Sequence, residues 1–284
     1  MAKEIRTIRA AALEALGSFR WREFAPFGWL LAVELVVLFL GMNLGTAWGM
    51  ATVGWLTERI AGDAPLHYPD FYAFLPTLIT NMEAVLFALP GCFLIPLAVI
   101  RVLRPIDPAS FPPGTTGSRV RQAAIPVLVG ALACEVLIVG WQWALHQRAV
   151  IGAIRSVARG GIPGAAAVAI IGLLVGYAIW TLFVYIPAAA VQPGRKPGVA
   201  LRDGIREAAS NFFPTYLVVI GLSLPAAAIL LVLQVMGSFL VRQIRPEIVA
   251  VLIGMYVVFS MLATFFIYAA GARFYQARRV EPSS

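Results

Sequence analysis

The sequence predicts an all-α integral membrane protein of six transmembrane helices, and three observations carry that prediction. The 284 residues are 60% hydrophobic and only 13% charged, about half the roughly 25% charged fraction of soluble domains. Their mean hydropathy is +0.84. Six apolar stretches reach the roughly 20 residues needed to cross a hydrocarbon core of about 30 Å. They lie at 26–48, 72–100, 122–146, 164–190, 212–236 and 248–272.

The chain divides into a cytoplasmic amphipathic interfacial helix at 1–25, a six-helix transmembrane domain at 26–272 and a cytoplasmic tail at 273–284. No connection approaches the 50 or so residues that a separate soluble domain needs. Ile5, Ile8, Ala12, Leu16 and Phe19 recur at helical spacing, so 3–24 is predicted to be one helix with a single apolar stripe, lying on the inner leaflet. The first apolar run follows Trp21-Arg22-Glu23-Phe24 without a small-residue cleavage site and reads as a retained helix. Phe24, Phe27, Trp21 and Trp29 are expected in an aromatic belt at its inner end, and Trp141 and Trp143 at the outer end of the third span.

Basic residues set the orientation, since cytoplasmic segments hold the excess of Lys and Arg. Sixteen fall on one side, in the segments 3–22, 101–121, 195–206 and 273–279. Six fall on the other: Arg59, Arg148, Arg155, Arg159, Arg242 and Arg245. Both termini are therefore predicted to be cytoplasmic. Twenty of the basic residues are Arg, which with the abundant Ala and Gly suggests a GC-rich bacterial genome.

Two further surface helices are expected. In 198–210, Arg202/Arg206 and Asp203/Glu207 each sit one turn apart, with Leu201, Ile205 and Ala208 on another face. In 147–159, Arg148, Arg155 and Arg159 fall within about 40° of one another and form a ridge. That ridge is either a solvated face or a contact for anionic lipid.

Proline positions suggest three pseudo-repeated hairpins. Pro26, Pro126 and Pro214 open the first, third and fifth spans, and Ile95-Pro96, Ile186-Pro187 and Ile267-Tyr268 mark the ends of the returning ones. The alternative is that proline simply sits where a helix bends or stops.

Three spans carry a lone glutamate. An ionised carboxylate at mid-membrane costs at least about 2.5 kcal/mol, so each should face protein or water. Glu34 shares a stripe with Gly41 and Gly45, a spacing that permits close helix approach. Glu83 is placed on a face with Pro76, Thr80 and Pro90, and Pro90-Gly91 is a predicted kink. Glu135 aligns with Gln142 and His146 as a polar track toward the outer surface. With no basic residue deep in any span, neutral forms are favoured over buried salt bridges. These five residues are either interhelical contacts, a proton or cation relay, or the lining of a polar cavity for a substrate headgroup.

The other chemistry is sparse. Cys92 and Cys134 lie within spans and read as small packing residues. Asp63, His67 and Asp70 lack the further His or Cys of a zinc site, and no nucleophile, phosphate loop or cofactor motif occurs. No cofactor, metal or enzymatic activity is expected. The lipid bilayer is the partner that the composition demands; a protein partner or a homo-oligomer is compatible with it. Basic segments confined to membrane flanks offer nucleic acid no surface.

Tyr185-Ile186-Pro187-Ala188-Ala189-Ala190-Val191, followed by Gly198-Val199-Ala200-Leu201-Arg202-Asp203-Gly204-Ile205-Arg206-Glu207-Ala208 and a span from Phe212, resembles a bacterial group. It is the group of multi-pass proteins similar to the membrane domain of glycerophosphodiester phosphodiesterases. The resemblance covers 185–236. It implies an inner-membrane protein without the soluble catalytic barrel, and no catalytic residue carries over. The functional expectation is a non-enzymatic protein that organises the membrane or serves an envelope process through lipid or partner binding. The alternative is a transporter permease subunit, either ABC-exporter-like or ion-coupled through the carboxylates.

Overall fold

A computed structural model describes residues 2–43, 58–59, 70–145, 147 and 161–280. Among these residues the chain is helical, without strands. Its helices are α1 (Ala2–Gly17), α2 (Trp21–Met42), α3 (Asp70–Ala88), α4 (Gly91–Leu103), α5 (Thr116–Leu145), α6 (Gly161–Thr181), α7 (Ile186–Ala190), α8 (Pro197–Ser210), α9 (Phe212–Phe239) and α10 (Pro246–Val280).

Five helical stretches are long and apolar enough to cross a membrane, and the pair Leu75–Ala88 and Gly91–Leu103 forms a sixth candidate bent by 66°. The bend falls at the predicted kink, because Pro90 cannot donate a backbone hydrogen bond to α3. Gly91 is required there: a Cβ would stand 2.9 Å from the Leu86 carbonyl oxygen. The Cys92 thiol donates to the Leu89 carbonyl across the break at 2.9 Å.

The bent pair runs the full height of α2. At one end Gly41 of α2 abuts Leu75 and Leu78, and at the other Arg101 Nη1 donates to the Arg22 carbonyl at 2.7 Å. A re-entrant loop would have returned to the Gly41 end. The pair is therefore a broken span, and the bundle has six crossings.

Consecutive spans pack as antiparallel hairpins, α2 with α3/α4, α5 with α6 and α9 with α10. Ile95, Ile186 and Ile267, the landmarks of the returning spans, are all buried. The returning spans nonetheless differ: the first breaks at Pro90, the second turns between Thr181 and Ile186, and α10 runs unbroken. A π-helical turn, Leu240–Ile244, joins α9 to α10.

The N-terminal segment differs from the sequence expectation. It is two helices, broken at Ser18–Arg20, where the Ser18 hydroxyl folds back onto the Glu14 carbonyl. The buried face of α1 is Ile8, Ala11, Ala12 and Ala15, and Leu16 is exposed. Three alanines let α1 approach α10 closely, and that edge is favoured over the bulkier one. Phe24 and Phe27 are likewise core residues, packed edge-on against Phe265 at 5.4 and 5.7 Å, whereas Trp21, Trp29 and Trp143 are exposed.

The predicted tail is helix as far as Val280. Arg273 and Gln276 face the bundle because they have partners there. Arg273 pairs with Glu14 and donates to Ser18 Oγ at 2.6 Å, and Gln276 donates to Asp107 Oδ2 at 2.8 Å. Gln192 donates to Gln276 at 3.2 Å and accepts from Arg279. Arg278 bonds Asn211 Oδ1 at 2.9 Å and pairs with Glu207 at 3.4 Å, and Arg195 pairs with Asp203. These contacts tie α1, α8, α10 and both connecting loops together at one end of the bundle.

Ile186 is clasped at that end. A Cβ on Gly204 of α8 would lie 2.8 Å from Ile186 Cα, and one on Gly130 of α5 would lie 2.8 Å from Ile186 Cδ1. At Gly204 the close atoms are backbone, so only glycine lets α8 close on α7. In α8 the buried residues are Ala200, Gly204 and Ala208, whereas Ile205 points outward.

Candidate functional site: carboxylates inside the bundle

Every fourth or third residue along one edge of α2 is buried: Phe27, Leu30, Glu34, Leu38 and Gly41. Glu34 thus replaces an apolar residue on the inward stripe, about 20 Å along the helix from Trp21. It is completely enclosed, and neither carboxyl oxygen has a hydrogen-bond partner. The predicted stripe with Gly41 holds, while Gly45 lies outside the described residues.

Glu83 is also buried, on the α3 face formed by Leu75, Ile79 and Leu86. Thr80, predicted to share that face, is exposed and bonds the Pro76 carbonyl at 2.8 Å. The reason is angular: Thr80 is three positions from Glu83 and falls on the lipid-facing edge, while Ile79 is one full turn away. The Tyr256 hydroxyl donates to Glu83 Oε2 at 2.6 Å and the Ser260 hydroxyl to Oε1 at 2.8 Å, so both oxygens are held from α10.

Glu34 and Glu83 lie within electrostatic range of one another, as do Glu83 and Glu135. Glu135, half-buried on α5, is also within range of Tyr268. Glu83 on α3 therefore stands within electrostatic range of both Glu34 on α2 and Glu135 on α5, and carries the hydroxyls of α10. No Lys, Arg or His occurs at 24–42, 70–100, 122–145, 161–181 or 246–272, the stretches that supply these walls.

The outward track is not continued in the same way. Gln142, two turns beyond Glu135, is exposed. His146 and the ridge residues Arg148, Arg155 and Arg159 lie outside the described residues, as do Asp63 and His67. Among the described residues no group of three metal-ligating side chains comes together. Cys92 and Cys134 are free and buried.

Tyr256 and Ser260 escaped the sequence reading because neither is charged. Their spacing of four, which places both on one helix face opposite a membrane carboxylate, was the available signal. A cleft of about 240 Å³, lined by Tyr72, Pro76, Thr77, Leu233, Gln234, Gly237 and Val249, opens at the end remote from the arginine-rich face. Along α3, the buried Leu75 and Ile79 stand between it and Glu83.

The helices, their lipid-length apolar surfaces and the polar cluster enclosed within them define an all-α multi-pass membrane protein. Comparison of the chain with protein-family models, curated proteins and solved structures gives no match.

Proposed function

We propose that the protein is a non-enzymatic, multi-pass component of a bacterial inner membrane that serves an envelope or membrane-organising process by binding anionic lipid at its arginine-rich face. One observation carries this reading. Two amphipathic helices are fastened to the same end of the bundle, each presenting arginine beside apolar side chains on its outer surface. On α8 these are Arg202 and Arg206 with Val199 and Ile205; on α1 they are Arg6 and Arg9 with Leu13 and Leu16.

The inward faces are spent on packing, Ala200, Gly204 and Ala208 against α7 and the alanines of α1 against α10. The outer faces match a headgroup layer, apolar residues reaching the acyl boundary and guanidinium groups meeting phosphates. With both termini cytoplasmic, this collar would meet the anionic inner leaflet, where each basic residue contributes about 1 kcal/mol. The resemblance of 185–236 to a phosphodiesterase-associated membrane domain agrees with an envelope role.

Lipid enrichment in nanodiscs made from mixed zwitterionic and anionic lipid tests the reading. The protein should retain phosphatidylglycerol over phosphatidylcholine, and the R202Q/R206Q double variant should lose roughly tenfold or more of that preference. Equal retention of both lipids by the unaltered protein would defeat it.

A second reading, an ion-coupled permease, is favoured by the convergence of Glu34, Glu83 and Glu135. Its test is flux in proteoliposomes. Proton- or cation-dependent uptake should vanish in Glu135→Gln at normal expression, and unchanged flux would remove Glu135 from any relay. The exporter-like alternative gains nothing from the 104–115 connection, which is a compact turn capped by Asp107 and a short 3₁₀ segment rather than a projecting helix.

A further inference from the structure

We propose that Glu34 and Glu83 form one proton-binding site in the bundle core, the proton carried by Glu34 and the carboxyl of Glu83 held in place by the hydroxyls of Tyr256 and Ser260. The site goes beyond the lipid-binding reading and stands whether or not flux follows from it.

Packing alone does not account for Glu34. Its neighbours on the inward stripe, Leu30 and Leu38, are buried leucines, and leucine would fill the same position without leaving two oxygens unbonded. A carboxyl enclosed without a donor is tolerated as an acid, not as an anion. Glu83 differs from it, because each of its oxygens accepts a hydroxyl hydrogen bond. The two acids are thus made unequal by their surroundings, and a proton on Glu34 removes their mutual repulsion.

The groups facing the pair sharpen the assignment. Glu135 of α5, Tyr177 of α6, and Tyr256 and Ser260 of α10 lie within range of Glu83, and Cys134 and Tyr268 lie within range of Glu135. Among the described residues none of these groups is a cation, and a proton is the positive species the site can hold. A metal ion would need about six oxygen ligands. Glu83 has already committed both of its oxygens, and the cleft at Tyr72 does not reach Glu34.

In the exchange, the O–H bond of Glu34 breaks, the electron pair stays on its carboxylate oxygen, and the proton leaves. Uptake is the reverse, with no redox change and no other reactant.

Infrared spectroscopy of the full chain in lipid reads the proton directly. The unaltered protein should show the carbonyl stretch of a protonated carboxyl that shifts on transfer to D₂O, that is lost in Glu34→Gln and that moves in frequency in Tyr256→Phe. The first readout needs no variant, and the Tyr256→Phe change keeps the shape of the core. Absence of a protonated-carboxyl band from the unaltered protein would overturn the proposal. So would a band untouched by Glu34→Gln, or one abolished by adding sodium or potassium at constant pH, which would assign the site to a metal cation.

Discussion

The Tyr256 hydroxyl donates to Glu83 Oε2 at 2.6 Å, joining the last span of the bundle to the second across 173 residues of sequence. Tyr256→Phe removes the donor and leaves a buried carboxylate oxygen unpaired, a loss of about 1–3 kcal/mol. Ser260, only partly buried, should cost less, about 1 kcal/mol on change to Ala. Thermal unfolding in mild detergent measures both, and equal stability of Tyr256→Phe and the unaltered protein would show that the bond contributes nothing.

The clasp on Ile186 predicts a contrast between two glycines of one helix. Gly204→Ala forces a Cβ to within 2.8 Å of Ile186 Cα and 2.9 Å of its backbone nitrogen, and backbone cannot swing aside. We expect about 1–3 kcal/mol of destabilisation. Gly198→Ala, with nothing within 4 Å of the new methyl, should be neutral or slightly stabilising through helix propensity. Parallel melting curves would expose an error if the order were reversed.

The broken span makes a topological prediction. Cysteine introduced at Arg20 and at Ser110 should react with a membrane-impermeant thiol reagent from the same side, and cysteine at Gln147 from the opposite side. The native Cys92 and Cys134 are buried and supply little background. Labelling of positions 20 and 110 from opposite sides would mean that α3 and α4 re-enter the membrane.

Asp107 should confer acid sensitivity on the arginine-rich end. The Ser110 hydroxyl and then the Ser110 backbone N–H, which donates at 3.0 Å, hold its carboxyl below the ordinary aspartate range. The sign follows: the folded state favours the charged form, so the contribution is complete above the ordinary value near 4 and disappears as pH falls below it toward the depressed one. Asp107→Asn should flatten the acid limb of the stability profile over that window and leave stability at neutral pH only slightly lower, since Asp107 is exposed to solvent screening. An unchanged acid limb would assign the sensitivity to other carboxylates.

Much of the architecture was legible because a bilayer imposes length and hydropathy so strongly. The six apolar runs, the kink at Pro90-Gly91 and the inward stripe of Glu34 all follow from residue spacing. The spacing of Leu16 and Ile205 was read just as directly, and both turn outward from the bundle. In a bilayer an apolar side chain can face protein or lipid with little penalty, so periodicity locates a face without saying what covers it. Small residues decided the matter, with the alanines of α1 and the Ala200/Gly204/Ala208 edge of α8 allowing the closer approach.

By itself the sequence determined membrane residence, the number of crossings and the clustering of charge at the helix ends, since each follows from the energy of placing a residue in hydrocarbon. Only the tertiary structure decided that Glu83 lies within electrostatic range of Glu34 and Glu135, that Tyr256 and Ser260 hold it, and that Glu34 has no donor. Those are distances between segments far apart in the chain. They are set by how helices pack, which no local pattern of residues encodes.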